Sequence, residues 1–161
     1  MFRWVKIFGD QYLGFWVMGL ILFALQEVPY MVMPFMHLTG DPLMNMRETS
    51  AILDLLEKVL GIACILLMTF IVSGNAVLFS LGSGLQKAAC FAAAAVLLLN
   101  YFGWGLYFLG HQSLPVILFF LVFLPPLYYI CIGIWRGNPL LSVTGILFAV
   151  VHFVHVYGNL S

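Results

Sequence analysis

Long apolar runs alternate with short polar segments along the whole chain. A helix rises about 1.5 Å per residue, so about 20 apolar residues cross a hydrocarbon core about 30 Å thick. The pattern predicts five transmembrane helices, over residues 11–37, 51–73, 87–109, 114–135 and 139–159. We therefore expect an all-α integral membrane protein, a bundle of five transmembrane helices that forms a single domain over residues 1–161.

Helix-terminating and small residues add detail to these predicted helices. Asn138 followed by Pro139 is typical of a helix N-terminus. The pair Pro125–Pro126 removes two backbone donors inside the fourth helix and predicts a kink there. The third helix contains the stretch AACFAAAA, and we expect Ala92 and Ala95 to pack against a neighbouring helix.

Composition supports a membrane location. Of the 161 residues, 64% are hydrophobic and only 7% are charged, whereas soluble domains have about 25% charged residues. A chain of this size cannot bury so much apolar surface by itself, so lipid is expected to cover much of it. The prediction is a multi-pass protein of the cell membrane. The net charge is zero and no basic run is present, which excludes nucleic acid as a partner.

The distribution of basic residues predicts the orientation. With the N-terminus inside, the inner segments contain Arg3, Lys6, Lys87 and Arg136, and the outer segments contain Arg47. Basic residues concentrate in cytoplasmic segments of membrane proteins. The N-terminus is therefore predicted inside and the C-terminus outside.

Polar residues inside the apolar runs are the candidate functional residues. Counting along each predicted helix brings polar groups from four helices to one depth, in the outer half of the bilayer. His152 and His155 stand three residues apart and share a helix face. Ionisable groups at such depth normally face the interior of a bundle or a water-filled cavity. The predicted ligand-binding residues are Glu27, Glu57, Asn100, Trp104, His152 and His155.

Three functions fit these residues. The first is binding of a small amphipathic or lipidic ligand in a pocket that opens to the outer side, with proton-linked transport as one form of it. The second is a membrane enzyme that acts on a lipid-like substrate by Glu and His acid–base or metal chemistry. The third is a non-catalytic assembly or regulatory subunit, in which these groups bond neighbouring helices.

Partners and cofactors follow from the same residues. Membrane lipids are expected partners in each case, together with a second copy of the chain or another membrane protein. Two histidines three residues apart can reach one metal ion, but no sequence motif of a zinc site accompanies them. We therefore predict no metal, and no motif identifies a cofactor.

Overall fold

Five helices and one small sheet make up the described part of the computed structural model, which covers residues 2–36, 38, 40–73, 79 and 81–161. The helices are Val17–Val32, Ala51–Phe70, Gly84–Phe108, Leu114–Arg136 and Pro139–Leu160. A short 3₁₀ turn, Met33–Phe35, extends the first helix. The mostly helical class agrees with the sequence prediction.

Four of these helices are long and apolar enough to cross a membrane. They are the first with its 3₁₀ extension, the third, the fourth and the fifth. The second helix differs because Asp54, Glu57 and Lys58 lie in its first half. Its remaining residues are apolar, and it packs along the fifth helix.

A three-stranded antiparallel sheet replaces part of the predicted helical structure. Its strands are Phe2–Phe8, Gln11–Phe15 and Ile71–Ser73, in that spatial order. The first helix therefore begins at Val17 and not at residue 11, and the second ends at Phe70 and not at residue 73. The Gly9–Asp10 pair between two β-prone runs is typical of a β-hairpin. The second of these runs continues directly into the apolar residues of the first helix, so it was assigned to that helix.

The third helix packs closely on the fourth helix, and only part of the predicted face, at Ala92, contacts the core. Ala89 and Ala93 are buried, whereas Ala92 is half-buried and Ala95 is exposed. The prediction for Ala95 is therefore wrong. The buried positions recur at helical spacing and continue to Gly103, where an added methyl group would meet the Phe120 side chain at 2.1 Å.

The two prolines of the fourth helix follow a π-helical segment, Ile117–Phe123. In a π-helix each carbonyl accepts a hydrogen bond from the N–H group five residues later. For Phe120 and Leu121 those positions are the prolines, which have no N–H group. Asn100 Nδ2 donates to the Phe120 oxygen at 2.8 Å instead, and the Tyr30 hydroxyl donates to the Leu121 oxygen at 2.9 Å.

The sheet lies at one end of the bundle, which we call the hairpin end. There the Trp16 amide donates to the Thr69 oxygen at 2.8 Å, and Gln11 Nε2 donates to the Gly137 oxygen at 2.9 Å. The opposite end, which we call the loop end, contains residues 40–50, the start of the second helix and the end of the fifth. The Tyr107 hydroxyl, near the end of the third helix, is hydrogen-bonded to Asp41 there.

Candidate functional site

Glu57 contacts both of the fifth-helix histidines near the loop end. His155 Nδ1 is hydrogen-bonded to Glu57 Oε2, and His152 Nδ1 lies 3.1 Å from Glu57 Oε1. His152 Nδ1 and Glu57 Oε1 are close enough for an ion pair, but they do not form a hydrogen bond. The spacing of three residues places both imidazoles on the helix face that meets the second helix. Three of the predicted residues therefore form one contact group.

A second layer of polar groups surrounds His155. Its Nε2 lies 3.0 Å from Asn159 Nδ2 and 3.1 Å from Glu48 Oε1. Asn159 Oδ1 accepts from the Thr49 amide at 3.0 Å, and this bond fixes the orientation of the Asn159 amide. Asn159 Nδ2 is then the donor to Nε2, so the neutral His155 has its proton on Nδ1, facing Glu57. A protonated His155 would donate to both carboxylates, and its Nε2 could then no longer accept from Asn159 Nδ2.

Glu27 faces a cavity of about 150 Å³ between the helices. Among the described residues, its carboxylate has no hydrogen-bond or ion-pair partner. His152 lies on the wall of the same cavity. The other residues that line the cavity are Tyr30, Gly61, Ile65, Pro125, Tyr129 and Phe148. Glu27 and His152 therefore share one small and mostly apolar space.

A second cavity, of about 220 Å³, adjoins the first. Tyr30 and His152 line both cavities, and Glu57 lines the second. Leu43 and Met46 close this second cavity on the side of the 40–50 loop. The two cavities thus connect the region of Glu27 with that loop.

The loop is attached to the third helix at Tyr107. The hydroxyl of Tyr107 is hydrogen-bonded to Asp41, and it also accepts from the Leu43 amide at 3.2 Å. Asp41 Oδ1 accepts from the amides of Leu43 and Met44, which closes a tight turn. This arrangement positions Leu43 over the second cavity. Tyr107 and Asp41 were not among the predicted ligand-binding residues.

Asn100 and Trp104, which were predicted as ligand-binding residues, lie behind the cavities. Asn100 is fully buried, where it donates to Phe120 and accepts from Gln26 Nε2 at 3.5 Å. Trp104 packs edge-on against the Tyr30 ring, with the ring centroids 4.7 Å apart. Neither residue is among those that line the two cavities. Their positions instead support the π-helical segment and the Tyr30 side chain.

One group of side chains has the donor types of a metal site. Ligand atoms of Glu48, Asp54 and His155 lie within 4.8 Å of one another. Oxygen and imidazole nitrogen donors of this kind suit zinc. However, Asp54 already pairs with Lys58, with 2.7 Å between Oδ2 and Nζ. The positive charge of Lys58 beside Asp54 disfavours a metal ion at these three residues.

Comparison of the chain with known protein families, with curated proteins and with solved structures found no match. The side chains and their geometry are therefore the basis for a functional proposal.

Tyr30 and Glu48 belong to this site but were not predicted from the sequence. The spacing of Tyr30 three residues after Glu27 was the available signal, because it places both side chains on one helix face.

Proposed function

We propose that this protein is a multi-pass membrane protein that binds a small amphipathic ligand between its helices, near the loop end. The ligand has a cationic or hydrogen-bond-donating head and a short apolar body. The head lies beside Glu27 and His152, and the body extends along the two adjoining cavities. In the proposed topology all five helices cross the membrane, with the N-terminus inside and the C-terminus outside.

The single observation that supports this function most directly is the carboxylate of Glu27. It faces an apolar cavity and has no partner among the described residues. An ionised group without a partner is costly in an apolar environment, and a complementary ligand group offsets that cost. Glu57, in contrast, already contacts two histidines. Glu27 is therefore the acidic group that remains for a ligand.

The size of the cavities limits the ligand. Their volumes are about 150 and 220 Å³, and drug-sized ligands usually occupy about 300–1,000 Å³. A complete phospholipid does not fit inside them. A head group with a short chain does, and apolar residues such as Ile65, Met33 and Val122 suit that chain.

Pairing of charges supports the second helix as a membrane-crossing segment. Glu57 contacts His152 and His155, and Asp54 pairs with Lys58 four residues later on the same helix. Charged side chains in a membrane are usually paired or face the bundle interior. The outer orientation of the loop end is supported by the basic residues, which concentrate at the hairpin end.

A second candidate function is that of an assembly or regulatory subunit. It is favoured by the direct bonds among Glu57, His155 and Asn159, which join the second and fifth helices without an intervening space. Polar contacts of this kind often serve only to connect helices. This reading leaves the Glu27 carboxylate without a role, so we prefer ligand binding.

Hexylamine is a suitable probe because it combines an ammonium head with a short chain. The full chain in lipid nanodiscs is heated with hexylamine, hexanol or hexanoate, and unfolding is followed by intrinsic fluorescence. Saturation at about 100 times Kd stabilises a protein by about 2.7 kcal/mol. Hexylamine should raise the melting temperature, hexanol should raise it less, and hexanoate should have no effect.

Matched variants separate the site from general effects on the bilayer. Glu27→Gln keeps the size of the side chain and should abolish the preference for hexylamine over hexanol. Asp54→Asn, which removes an acid that lines neither cavity, should retain it. Equal shifts with hexylamine and hexanol, or a preference that survives in Glu27→Gln, would reject the proposed function.

A further inference from the structure

The outer strand of the hairpin, Phe2–Phe8, exposes all of its residues. Its large apolar side chains are far from buried, with exposed fractions of 64% for Phe2, 59% for Trp4 and 63% for Val5. So much exposed aromatic and aliphatic surface on one short strand is unusual for a surface that contacts only water. Such a surface is typical of a segment that contacts lipid or an apolar surface of another protein.

The pairing of the two hairpin strands separates apolar from basic side chains. Phe2, Val5 and Phe8 pair with Phe15, Leu13 and Gln11, in a register interrupted by two bulges. Alternate residues of the inner strand point to opposite faces, so these three apolar side chains share one face. Arg3 and Lys6 pair with Gly14 and Tyr12, which places them on the other face. The Arg3 guanidinium lies over the Tyr12 ring, 5.5 Å from its centroid.

The position of the hairpin is fixed by the helices that continue from the sheet. The first helix begins at Val17, directly after the inner strand, and the third strand directly follows the second helix at Ile71. If these helices cross the bilayer, the sheet must lie at the level of the lipid head groups. Aromatic residues with adjacent basic residues are enriched at that level.

Charges are divided unequally between the two ends of the bundle. Among the residues that the structure describes, the hairpin end has the basic residues Arg3, Lys6, Lys87 and Arg136, and its only acidic residue is Asp10. The described part of the loop end has two basic and four acidic residues, and Glu27 lies between the two ends. An anionic surface is therefore attracted to the hairpin end and repelled from the loop end.

We propose that the amphipathic hairpin, residues 2–15, binds the surface of an anionic lipid leaflet. Its apolar face, with Phe2, Val5 and Phe8, enters the boundary between head groups and acyl chains. Arg3 and Lys6 contact anionic lipid head groups. This surface lies at the opposite end from the ligand cavities, so the inference depends on membrane insertion but not on ligand binding.

Trp4 lies at the bulge between Arg3 and Val5 and is 59% exposed, so its quenching by brominated lipid tests whether the outer strand enters the leaflet. The full chain is placed in membranes of phosphatidylglycerol and phosphatidylcholine, and either lipid is brominated near the head-group end of its chains. The Trp4 signal is the difference between the native protein and Trp4→Phe. We expect brominated lipid to quench Trp4 and acrylamide to quench it little. Brominated phosphatidylglycerol should quench Trp4 more effectively than brominated phosphatidylcholine. We expect a difference of about five-fold for each basic residue that the anionic lipid contacts.

Charge variants distinguish anionic lipid from apolar contact alone. In the double variant Arg3→Gln, Lys6→Gln, the two brominated lipids should quench Trp4 equally. Lys58→Gln, at the loop end, should leave the stronger quenching by brominated phosphatidylglycerol unchanged. Trp4 quenched by acrylamide and not by brominated lipid would overturn the proposal. So would shielding of Trp4 that depends on the protein-to-lipid ratio, because pairing between two copies would then cover the strand.

Discussion

Asn100 Nδ2 donates a hydrogen bond to the carbonyl oxygen of Phe120 at 2.8 Å. Asn100 is in the third helix and Phe120 is in the fourth, five residues before Pro125. The proline has no backbone N–H group, so a side chain from another helix satisfies this carbonyl. Side-chain chemistry on one helix therefore compensates for a backbone defect in the next.

This relationship predicts a coupled effect of two substitutions. Asn100→Ala should lower the free energy of unfolding by about 1–3 kcal/mol, because it leaves a partly buried carbonyl without a donor. Pro125→Ala restores an N–H group, so the loss from Asn100→Ala should be smaller in that background. Denaturant unfolding in detergent measures the four proteins of the cycle. Equal losses in both backgrounds would separate Asn100 from the proline.

Glu57 and Asp54 are two acids of the second helix with different partners, so their substitutions can be compared directly. Glu57→Gln weakens the hydrogen bond with His155 and the ion-pair contact with His152, and we expect a loss of about 1.5–3 kcal/mol, as for a hydrogen bond to a charged group. Asp54→Asn removes an exposed pair with Lys58 and should cost clearly less than Glu57→Gln, because exposed ion pairs contribute little to stability. Thermal unfolding of both variants checks the order. A larger loss for Asp54→Asn would contradict the assignment of the central contact to Glu57.

Tyr107 should control the order of the 40–50 loop. Tyr107→Phe removes the hydroxyl that contacts Asp41 and accepts from the Leu43 amide. Limited proteolysis should cleave the variant faster in this loop, because local opening becomes less costly. Tyr157→Phe is the control, since the Tyr157 side chain is half-exposed. Cleavage at the same rate in the native protein and in Tyr107→Phe would show that the loop is held by other contacts.

Two alanines in the third helix should respond differently to enlargement. Ala93 is buried and Ala95 is exposed. Ala93→Leu forces extra volume into a packed interface and should cost about 1–3 kcal/mol. Ala95→Leu should change the free energy of unfolding by less than about 0.5 kcal/mol. Comparison of the two midpoints in the same detergent tests which face of the helix packs.

The proposed topology predicts the location of reporters. A reporter fused after Ser161 should be detected outside the cell, and one inserted in the 76–86 segment should be detected inside. The reason is the concentration of basic residues at the hairpin end. Accessibility labelling of intact cells provides the measurement. A cytoplasmic reporter after Ser161 would contradict five membrane-crossing helices with the N-terminus inside.

The pattern along the chain determined the helices, because each apolar run is long and ends at a polar or helix-terminating residue. It also determined that His152 and His155 share a face, because a spacing of three residues does so in any helix. These are local properties, and local sequence is sufficient to specify them. The hairpin was equally local, but its β-prone residues merged with the apolar run that follows.

Only the tertiary structure decided which polar residues meet. Glu57 contacts the histidines because the second helix packs along the fifth, and no local pattern gives that neighbour. Asn100 was expected at a ligand site, yet it satisfies a carbonyl that Pro125 leaves open. The exposure of Ala95 likewise depends on which side of the third helix the fourth helix packs against. Helix periodicity fixes relative directions on one helix, whereas the partner facing each direction is set by packing among all the helices.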